Sequence, residues 1–467
     1  MFSVVAVGVF MSTLDSSMVN IALPAIMAHF HSSLQLTEWV VMIYLLTITS
    51  TLLLWGRLGD MLGRGKLYAL GMLIFALASL ACALAPNLAV LIVARLLQAL
   101  GAALMMAIGP ALITEAFPVR QLGRAFGLIG MAVSLGLMTG PGLGGMLLEL
   151  GSWRNLFLIT VPVGALFTGL ALLVLPLTRN GKRDGPFDWR GGLYMTIGLT
   201  LFALTVNHGT APTWRPAVLI PTAAAWGLVT LLFVRAEATA PAPLLPVRLL
   251  REPYFIVGVL SAVLSFMILF TAIILPPFYM VRILGLSSAR IGLVMMAVPL
   301  AVLVVAPMAG WLSDHIGARW LTTTGILVST SGLLLLAGLS PTSPPLGVAL
   351  RLSLLGIGQA MFLSPNSAAV LGRVGNHHIG ISGALLATGR NLGMLLGTAQ
   401  AFLVFSLTFG RLTNGLDLKD FTPAQVEPFM AALRAAYLTA AAIGLVGATL
   451  SWLRGPDNQH KERQGCD

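Results

Sequence analysis

Gly56-Arg57-Leu58-Gly59-Asp60-Met61-Leu62-Gly63-Arg64 is a short, charged, glycine-rich break between two apolar runs. It recurs 254 residues later as Gly310-Trp311-Leu312-Ser313-Asp314-His315-Ile316-Gly317-Ala318-Arg319. The sequence on either side of both copies is strongly apolar. Of 467 residues, 57% are hydrophobic and 9% charged, where a soluble domain carries about a quarter charged residues. Such a supply of charge cannot cover a water-exposed surface. With 50 Gly and 26 Pro along the chain and a mean hydropathy of +0.92, the sequence is that of an integral membrane protein, and soluble enzyme folds and disordered classes are excluded.

A membrane span needs about 20 apolar residues. Windows of that size between polar breaks predict fourteen transmembrane helices, near 2–28, 38–57, 66–85, 88–113, 122–148, 155–176, 190–208, 216–234, 254–279, 288–311, 319–339, 346–371, 379–406 and 433–453. Both copies of the charged stretch follow the second span of a six-span block. The expected architecture is therefore all-α and polytopic, with an N-terminal six-helix half over 1–177 and a two-helix insert with its linkers over 178–252. A C-terminal six-helix half follows over 253–454, then a cytoplasmic tail over 455–467. Parallel halves of this kind are a transporter signature, with substrate held near the midplane between them.

An even number of spans puts both termini on one side. Assigning loops alternately places seventeen Lys and Arg on the side of the termini, seven on the other and three inside helices. The positive-inside rule then makes both termini cytoplasmic in a plasma (inner) membrane. The net charge of +11 is explained by this orientation, and no nucleic-acid partner is expected.

Cys82 and Cys466 are the only cysteines, so no disulfide framework or thiolate metal site is expected. The apolar start, Phe2 to Met11, lacks a basic region before it and reads as the first span instead of a cleaved signal. Gly380-Ile381-Ser382-Gly383 matches a short intramembrane-protease motif, but none of the seven His residues falls inside a span. His377-His378 reads as a solvated loop pair. There is no P-loop. No enzyme activity, metal or cofactor is expected.

Four further features carry chemistry. Leu14-Asp15-Ser16-Ser17-Met18-Val19-Asn20-Ile21-Ala22-Leu23-Pro24 places Asp15 as the only acid deep in a predicted span. A carboxylate there is costly in lipid and should face a cavity or a partner. Burial and a nearby Arg pull its proton affinity in opposite directions, so protonation can follow conformation. The competing reading is a carboxylate near a helix end reaching water. Arg95-Leu96-Leu97-Gln98-Ala99-Leu100-Gly101 places a permanently charged guanidinium in the fourth span, as a partner for Asp15 or, alternatively, bonded to helix-end carbonyls. Gly136-Leu137-Met138-Thr139-Gly140-Pro141-Gly142-Leu143-Gly144-Gly145 in the fifth span combines small residues for close helix packing with a proline bend. In the second half, Arg390-Asn391-Leu392-Gly393 and Arg351, followed by Gly356, Gly358 and Gln359, supply the other buried-charge candidates, Arg351 and Arg390.

In order and spacing these motifs resemble the major facilitator superfamily, in its fourteen-helix drug/proton antiporter branch, over nearly the whole chain. The fold implied is two six-helix halves plus two inserted helices. The resemblance implies a cytoplasmic gate at Gly56, Asp60, Gly63, Arg64, Gly310, Asp314, Gly317 and Arg319, and an antiporter motif at Gly136, Gly140, Pro141, Gly144 and Gly145. It departs from the family pattern at Ala99, where a glycine is usual, at Ala318, which stands where the first copy has Arg64, and at Thr160, where an Asn is usual.

The expected function is proton-coupled export of amphipathic or lipophilic small molecules by alternating access, with Asp15 and Arg95 as the coupling residues. The proton gradient is the energy source. The expected cavity residues are Met11, Trp39, Tyr44, Gln98, Met105, Met138, Phe266, Phe270, Met295, Phe362 and Asn391, which offer adaptable contacts. One acid against Arg95, Arg390 and Arg351 does not suit a dication, so neutral, monocationic or zwitterionic substrates are expected and anionic ones admitted. Partners are the substrate, protons and the lipid bilayer, and the chain is expected to act as a monomer. A lipid flippase and a proton-coupled nutrient symporter share the fold and are the alternatives.

Overall fold

In the computed structural model, described residues are 1–117, 122–175, 189–208, 216–239, 252–372 and 379–455. Arg57, Asp60 and Asp314 lie in described helices, but their side chains fall outside the described set, as do His377, His378 and Cys466. The described residues form helices and connecting turns, without a strand.

The helices are α1 (Phe2–Phe30), a one-turn α2 (Leu34–Thr37), α3 (Trp39–Leu62), α4 (Arg64–Ala83), α5 (Leu88–Ala116), α6 (Leu122–Glu149), α7 (Arg154–Leu158), α8 (Thr160–Val174), α9 (Trp189–His208) and α10 (Pro216–Thr239). They continue as α11 (Pro253–Ile274), α12 (Pro276–Arg282), α13 (Ser288–Met295), α14 (Ala297–Ile316), α15 (Ala318–Ala337), α16 (Pro345–Gly372), α17 (Ile379–Leu412) and α18 (Val426–Leu453). All fourteen predicted spans correspond to helix. Among the described residues, twelve helical segments are long and apolar enough to cross a membrane, and α6 and α9 occupy the other two predicted windows.

Three spans are built from two helices each: α7 with α8, α11 with α12, and α13 with α14. The second break falls at Leu275, where Pro276 cannot donate the next backbone hydrogen bond. The last span starts at Val426, seven residues before the hydropathy window. Its first turns carry Glu427 and Pro428, which lower the apolar average without disfavouring a helix start.

The two copies of the glycine-rich stretch fold alike. Gly63 and Gly317 each form the single-residue joint between consecutive helices, at φ of 103° and 86°. An L side chain rarely adopts such backbone, so the repeat preserves a turn only glycine makes easily. A second correspondence is a helix crossing. A Cβ at Gly101 would stand 2.6 Å from the Gly71 carbonyl oxygen, while one at Gly358 would run into the Gly325 carbonyl oxygen. Gly71 and Gly325 are separated by the same 254 residues as the quoted motif.

The chain divides into two compact units. Unit 1 comprises Met1–Leu245, Pro277–Leu293 and Phe409–Gln425; unit 2 comprises Pro246–Pro276, Val294–Thr408 and Val426–Asp467. In unit 1, α1 packs against α5, α6 and α8, α4 against α5 and α8, and α3 against α5. The inserted helices α9 and α10 pack on each other, and α9 also rests on α3, where Thr196 Oγ1 donates to the Ser50 carbonyl at 3.1 Å. Two segments from later in the chain complete unit 1. Asp417 accepts from the Leu34 backbone N–H at 3.2 Å, and Glu149 accepts from the Ala289 backbone N–H at 3.3 Å. In unit 2, α16 packs between α14 and α15, and α18 against α11 and α15.

Candidate functional site: a buried ion pair in the first unit

Asp15 stands fourteen residues into α1, about 20 Å along the helix from its start. It is completely buried. Arg95, in the second turn of α5, is 1% exposed, and its Nη1 lies 2.6 Å from Asp15 Oδ2. This is the ion pair expected from the sequence, and neither group reaches water.

Four helices each contribute two residues one turn apart, by side chain or, at Val40 and Ser12, by backbone carbonyl. On α5, Arg95 is joined by Gln98, whose amide is fully used. Gln98 Nε2 donates to Asp15 Oδ1 at 2.9 Å and to Ser79 Oγ at 2.8 Å, while its Oε1 accepts from Arg95 Nη1 at 2.6 Å and from Cys82 Sγ at 3.8 Å. Ser79 and Cys82 sit together on α4. On α3, Val40 offers its carbonyl to Arg95 Nε at 3.0 Å, and the Tyr44 ring lies 4.1 Å from the guanidinium carbon. The Tyr44 hydroxyl donates in turn to the Ser12 carbonyl of α1 at 3.3 Å. Phe157 of α7 closes the far side of the guanidinium, 5.8 Å away.

This arrangement answers both charges. Arg95 keeps a carbonyl, an amide oxygen and an aromatic face in addition to the carboxylate. Neutralising Asp15 would leave Arg95 with four contacts, to the Val40 carbonyl, Gln98 and the Tyr44 and Phe157 rings, whereas removing Arg95 would leave Asp15 with one. The cluster therefore holds the cation by more contacts than it holds the acid.

The antiporter-motif glycines pack directly on the segment that carries Asp15. Cβ atoms at Gly136, Gly140 and Gly144 would collide with or crowd Thr13, Ser17 and Met18 respectively, and Ser17 Oγ donates to the Leu137 carbonyl of α6 at 3.2 Å. At the next position, a Cβ built on Gly145 would stand 2.5 Å from the Ser288 carbonyl oxygen, and one built on Gly292 would run into the Pro141 carbonyl oxygen, Ser288 and Gly292 both lying on α13 in the same unit. The small-residue face expected in the fifth span is thus filled by α1 on one side and α13 on the other.

The remaining predicted residues are distributed. Gly56 is half-buried, and a Cβ there would meet nothing within 4 Å; Arg64 is half-buried at the start of α4. Arg319 is half-buried with its guanidinium carbon 4.1 Å from the Trp452 ring, and a Cβ at Gly310 would approach only Ser364. Met11 reaches the Gly164 region of α8, and Met105 approaches Gly8 and Gly71, so both fill the interior of unit 1. Trp39 and Met138 are half-buried. In unit 2, Phe266, Phe270, Met295, Phe362 and Asn391 are buried. The Arg351 guanidinium runs back along α16 toward its start, 3.7 Å from a Cβ built on Gly347. Arg390 is half-buried in α17. Among the described residues it makes no ion pair or hydrogen bond.

Unit 2 holds its buried arginine elsewhere: Arg454 Nη1 donates to Asn366 Oδ1 at 2.8 Å, and its guanidinium carbon lies 4.0 Å from the Tyr254 ring. Ser265 Oγ donates to Gln359 Oε1 at 2.9 Å, joining α11 to α16 without charge. Sequence reasoning missed Ser79, Cys82, Val40 and Phe157. A helical serine and a backbone carbonyl carry no sequence signal of their own, although Ser79 and Cys82 could have been paired by their spacing.

Comparison with known proteins agrees with this architecture. The chain is 34% identical over 451 residues to the riboflavin transporter RibZ of Clostridioides difficile (strain 630), covering 96% of this chain and 95% of that protein. It is 31% identical to the multidrug resistance protein Stp of Mycobacterium tuberculosis (strain CDC 1551 / Oshkosh), covering 84% of this chain and 73% of Stp. It is 30% identical to the methylenomycin A resistance protein of Bacillus subtilis (strain 168), covering 87% of each. The structure of a bacterial homolog of the human lysosomal transporter Spinster, inward-facing and unoccupied, superposes with a TM-score of 0.69 at 15% identity, over 97% of this chain and 96% of that one. A D-xylose-proton symporter superposes with a TM-score of 0.65, also at 15% identity, over 98% and 97%. These relatives are transporters, not enzymes. The family model for the Major Facilitator Superfamily matches twice, over residues 5–274 and 254–465, once for each copy of the repeat, and the chain belongs to that superfamily.

Proposed function

We propose that this transporter exports amphipathic small molecules in exchange for protons, with Asp15 as the proton carrier and Arg95 as its fixed counterion. The observation that carries the proposal is the 2.6 Å pair between two fully buried groups, backed by a glutamine whose whole amide is engaged. A proton arriving from outside binds Asp15 Oδ2 and removes the attraction to Arg95. The guanidinium stays on Val40, Gln98 and Tyr44, while α1 is freed from it. Since the glycine face of α6 lies on the same stretch of α1, a shift of α1 is felt at once by the antiporter motif. Substrate binding inside then favours release of the proton to the cytoplasm. Such a cycle draws on the proton gradient and needs no cofactor.

The reading includes both termini in the cytoplasm of a plasma membrane, as the loop charges imply, and a monomer as the working unit. Resistance and multidrug proteins among the relatives support export of drug-like amphiphiles. A second reading, proton-coupled movement of a vitamin such as riboflavin, is favoured by the 34% identity to RibZ over nearly the full length of both chains. Proteoliposomes loaded with rhodamine 123, riboflavin or a fluorescent phospholipid, under an imposed pH gradient of either sign, separate these readings. Dye efflux driven by protons moving the other way supports the exporter. Riboflavin moving in the same direction as protons replaces it with a symporter, and lipid scrambling alone replaces it with a flippase.

A further inference from the structure

The polar inventory of unit 2 is short of acceptors. Within its helices the only acids are Asp314 and Glu427, each within three residues of a helix end. Arg390 lies about 17 Å along α17 from its start, at a depth along its own helix comparable to that of Asp15 on α1. Unlike Arg95 it has no carboxylate, amide or carbonyl partner among the described residues. A guanidinium with five donors inside a membrane span either pairs or faces an aqueous cavity, and by default marks a functional site.

The face that carries it is open. Gly383, Ala387, Arg390 and Met394 follow one another at helical spacing along one side of α17, and all four are partly exposed. A Cβ at Gly383 would meet nothing within 4 Å. The flank beside it is closed by Gly389 and Gly393 packed on Val259 and Val263 of α11. Past Met394 the stripe ends at Thr398 and Ala401, both fully buried. Glycine and alanine on this stripe contrast with the leucines that cover the exposed face of α4, such as Leu70, Leu73 and Leu77. The result is a small-residue track with one unanswered cation near its closed end.

We infer that Arg390 binds a carboxylate, or an equivalent anionic oxygen group, on the transported amphiphile. The inference rests on the exporter reading and narrows its substrate class to zwitterionic or anionic amphiphiles. The apolar body would lie along Gly383 and Ala387, and the oxygens would take the fork of the guanidinium.

Rhodamine 110 and its methyl ester, rhodamine 123, share one scaffold and differ only in whether the carboxylate is free. Their binding to the purified protein in phosphatidylcholine nanodiscs, read by fluorescence anisotropy, tests the inference. The wild type should prefer the carboxylate dye by roughly tenfold or more, the range of a charge-assisted contact. Arg390→Gln should bring the ratio of the two affinities to about one while leaving the ester affinity within about twofold, and Arg390→Lys should keep part of the preference. An unchanged unfolding midpoint for Arg390→Lys guards against simple misfolding. An unchanged ratio in Arg390→Gln overturns the inference, as does loss of the preference when phosphatidylglycerol is added, which would assign Arg390 to lipid phosphate. Binding with the predicted ratio but no proton-driven movement of either dye would remove the exporter reading and leave the Arg390 contact standing. Binding of neither dye overturns both.

Discussion

Asp15→Asn keeps the shape of the side chain and removes one acceptor from a network that has none to spare. Asp15 accepts from Arg95 Nη1 at 2.6 Å and from Gln98 Nε2 at 2.9 Å. An amide at this position can accept from one of them and must turn its own NH2 toward the other, which is also a donor. Gln98 cannot rotate to relieve the conflict, because its Oε1 holds Arg95 and its Nε2 holds Ser79. Arg95, 1% exposed, is left without a countercharge. Removing one member of a buried pair costs about 3–5 kcal/mol, and we expect Asp15→Asn to lose about 3 kcal/mol. Cys82 supplies the assay: it is fully buried on α4, so in a Cys466→Ser background a thiol-reactive dye reports opening of the first helices during denaturation. Arg95→Met alone strands the Asp15 charge and should also cost about 3 kcal/mol, whereas adding it to Asp15→Asn should restore about half of the loss, since no unpaired charge then remains, giving a coupling of about 4–5 kcal/mol in the double-mutant cycle. An Asp15→Asn protein that opens at the wild-type midpoint, or a double variant equal to the sum of the singles, would show that the two groups are not coupled.

Other expectations follow from the same geometry and can be read by the same assay. Gln98→Leu takes the amide donor from Asp15 Oδ1 and the amide acceptor from Arg95 Nη1, while the Ser79 hydroxyl keeps the Phe75 carbonyl, and should cost at least about 1–3 kcal/mol. Gly140→Val drives a branched side chain into Ser17, whose Cβ would lie 2.5 Å from the added carbon, and should cost about 1–3 kcal/mol by overpacking α1 against α6. Gly63→Ala and Gly317→Ala should each cost about 1–2 kcal/mol through their positive φ, while Gly56→Ala, with open space around it, should be within about 0.5 kcal/mol of wild type.

The ion pair was legible because both partners are conspicuous. Asp15 is the only acid deep in a span, and a guanidinium that cannot lose its charge must find a partner. The duplicated glycine stretch was legible for a similar reason: a residue without a side chain at a fixed place in each half marks a backbone that only glycine makes easily, and Gly63 and Gly317 both have it. The methionines were not legible. Met11 and Met105 fill helix contacts inside unit 1, and nothing in an apolar residue distinguishes a core position from a lipid-facing or cavity position when all three environments are apolar. Ser79 and the Val40 carbonyl became visible only once α3 and α4 were seen beside Arg95.

The central claim is that Asp15 carries the proton. Proteoliposomes enclosing the pH dye pyranine, with the protein reconstituted and rhodamine 110 supplied as substrate, measure proton movement directly. Wild-type protein should show proton flux that starts with substrate addition, whereas Asp15→Asn should still exchange labelled for unlabelled dye across the membrane without moving protons. Substrate-driven proton flux at the wild-type rate in Asp15→Asn would contradict the account.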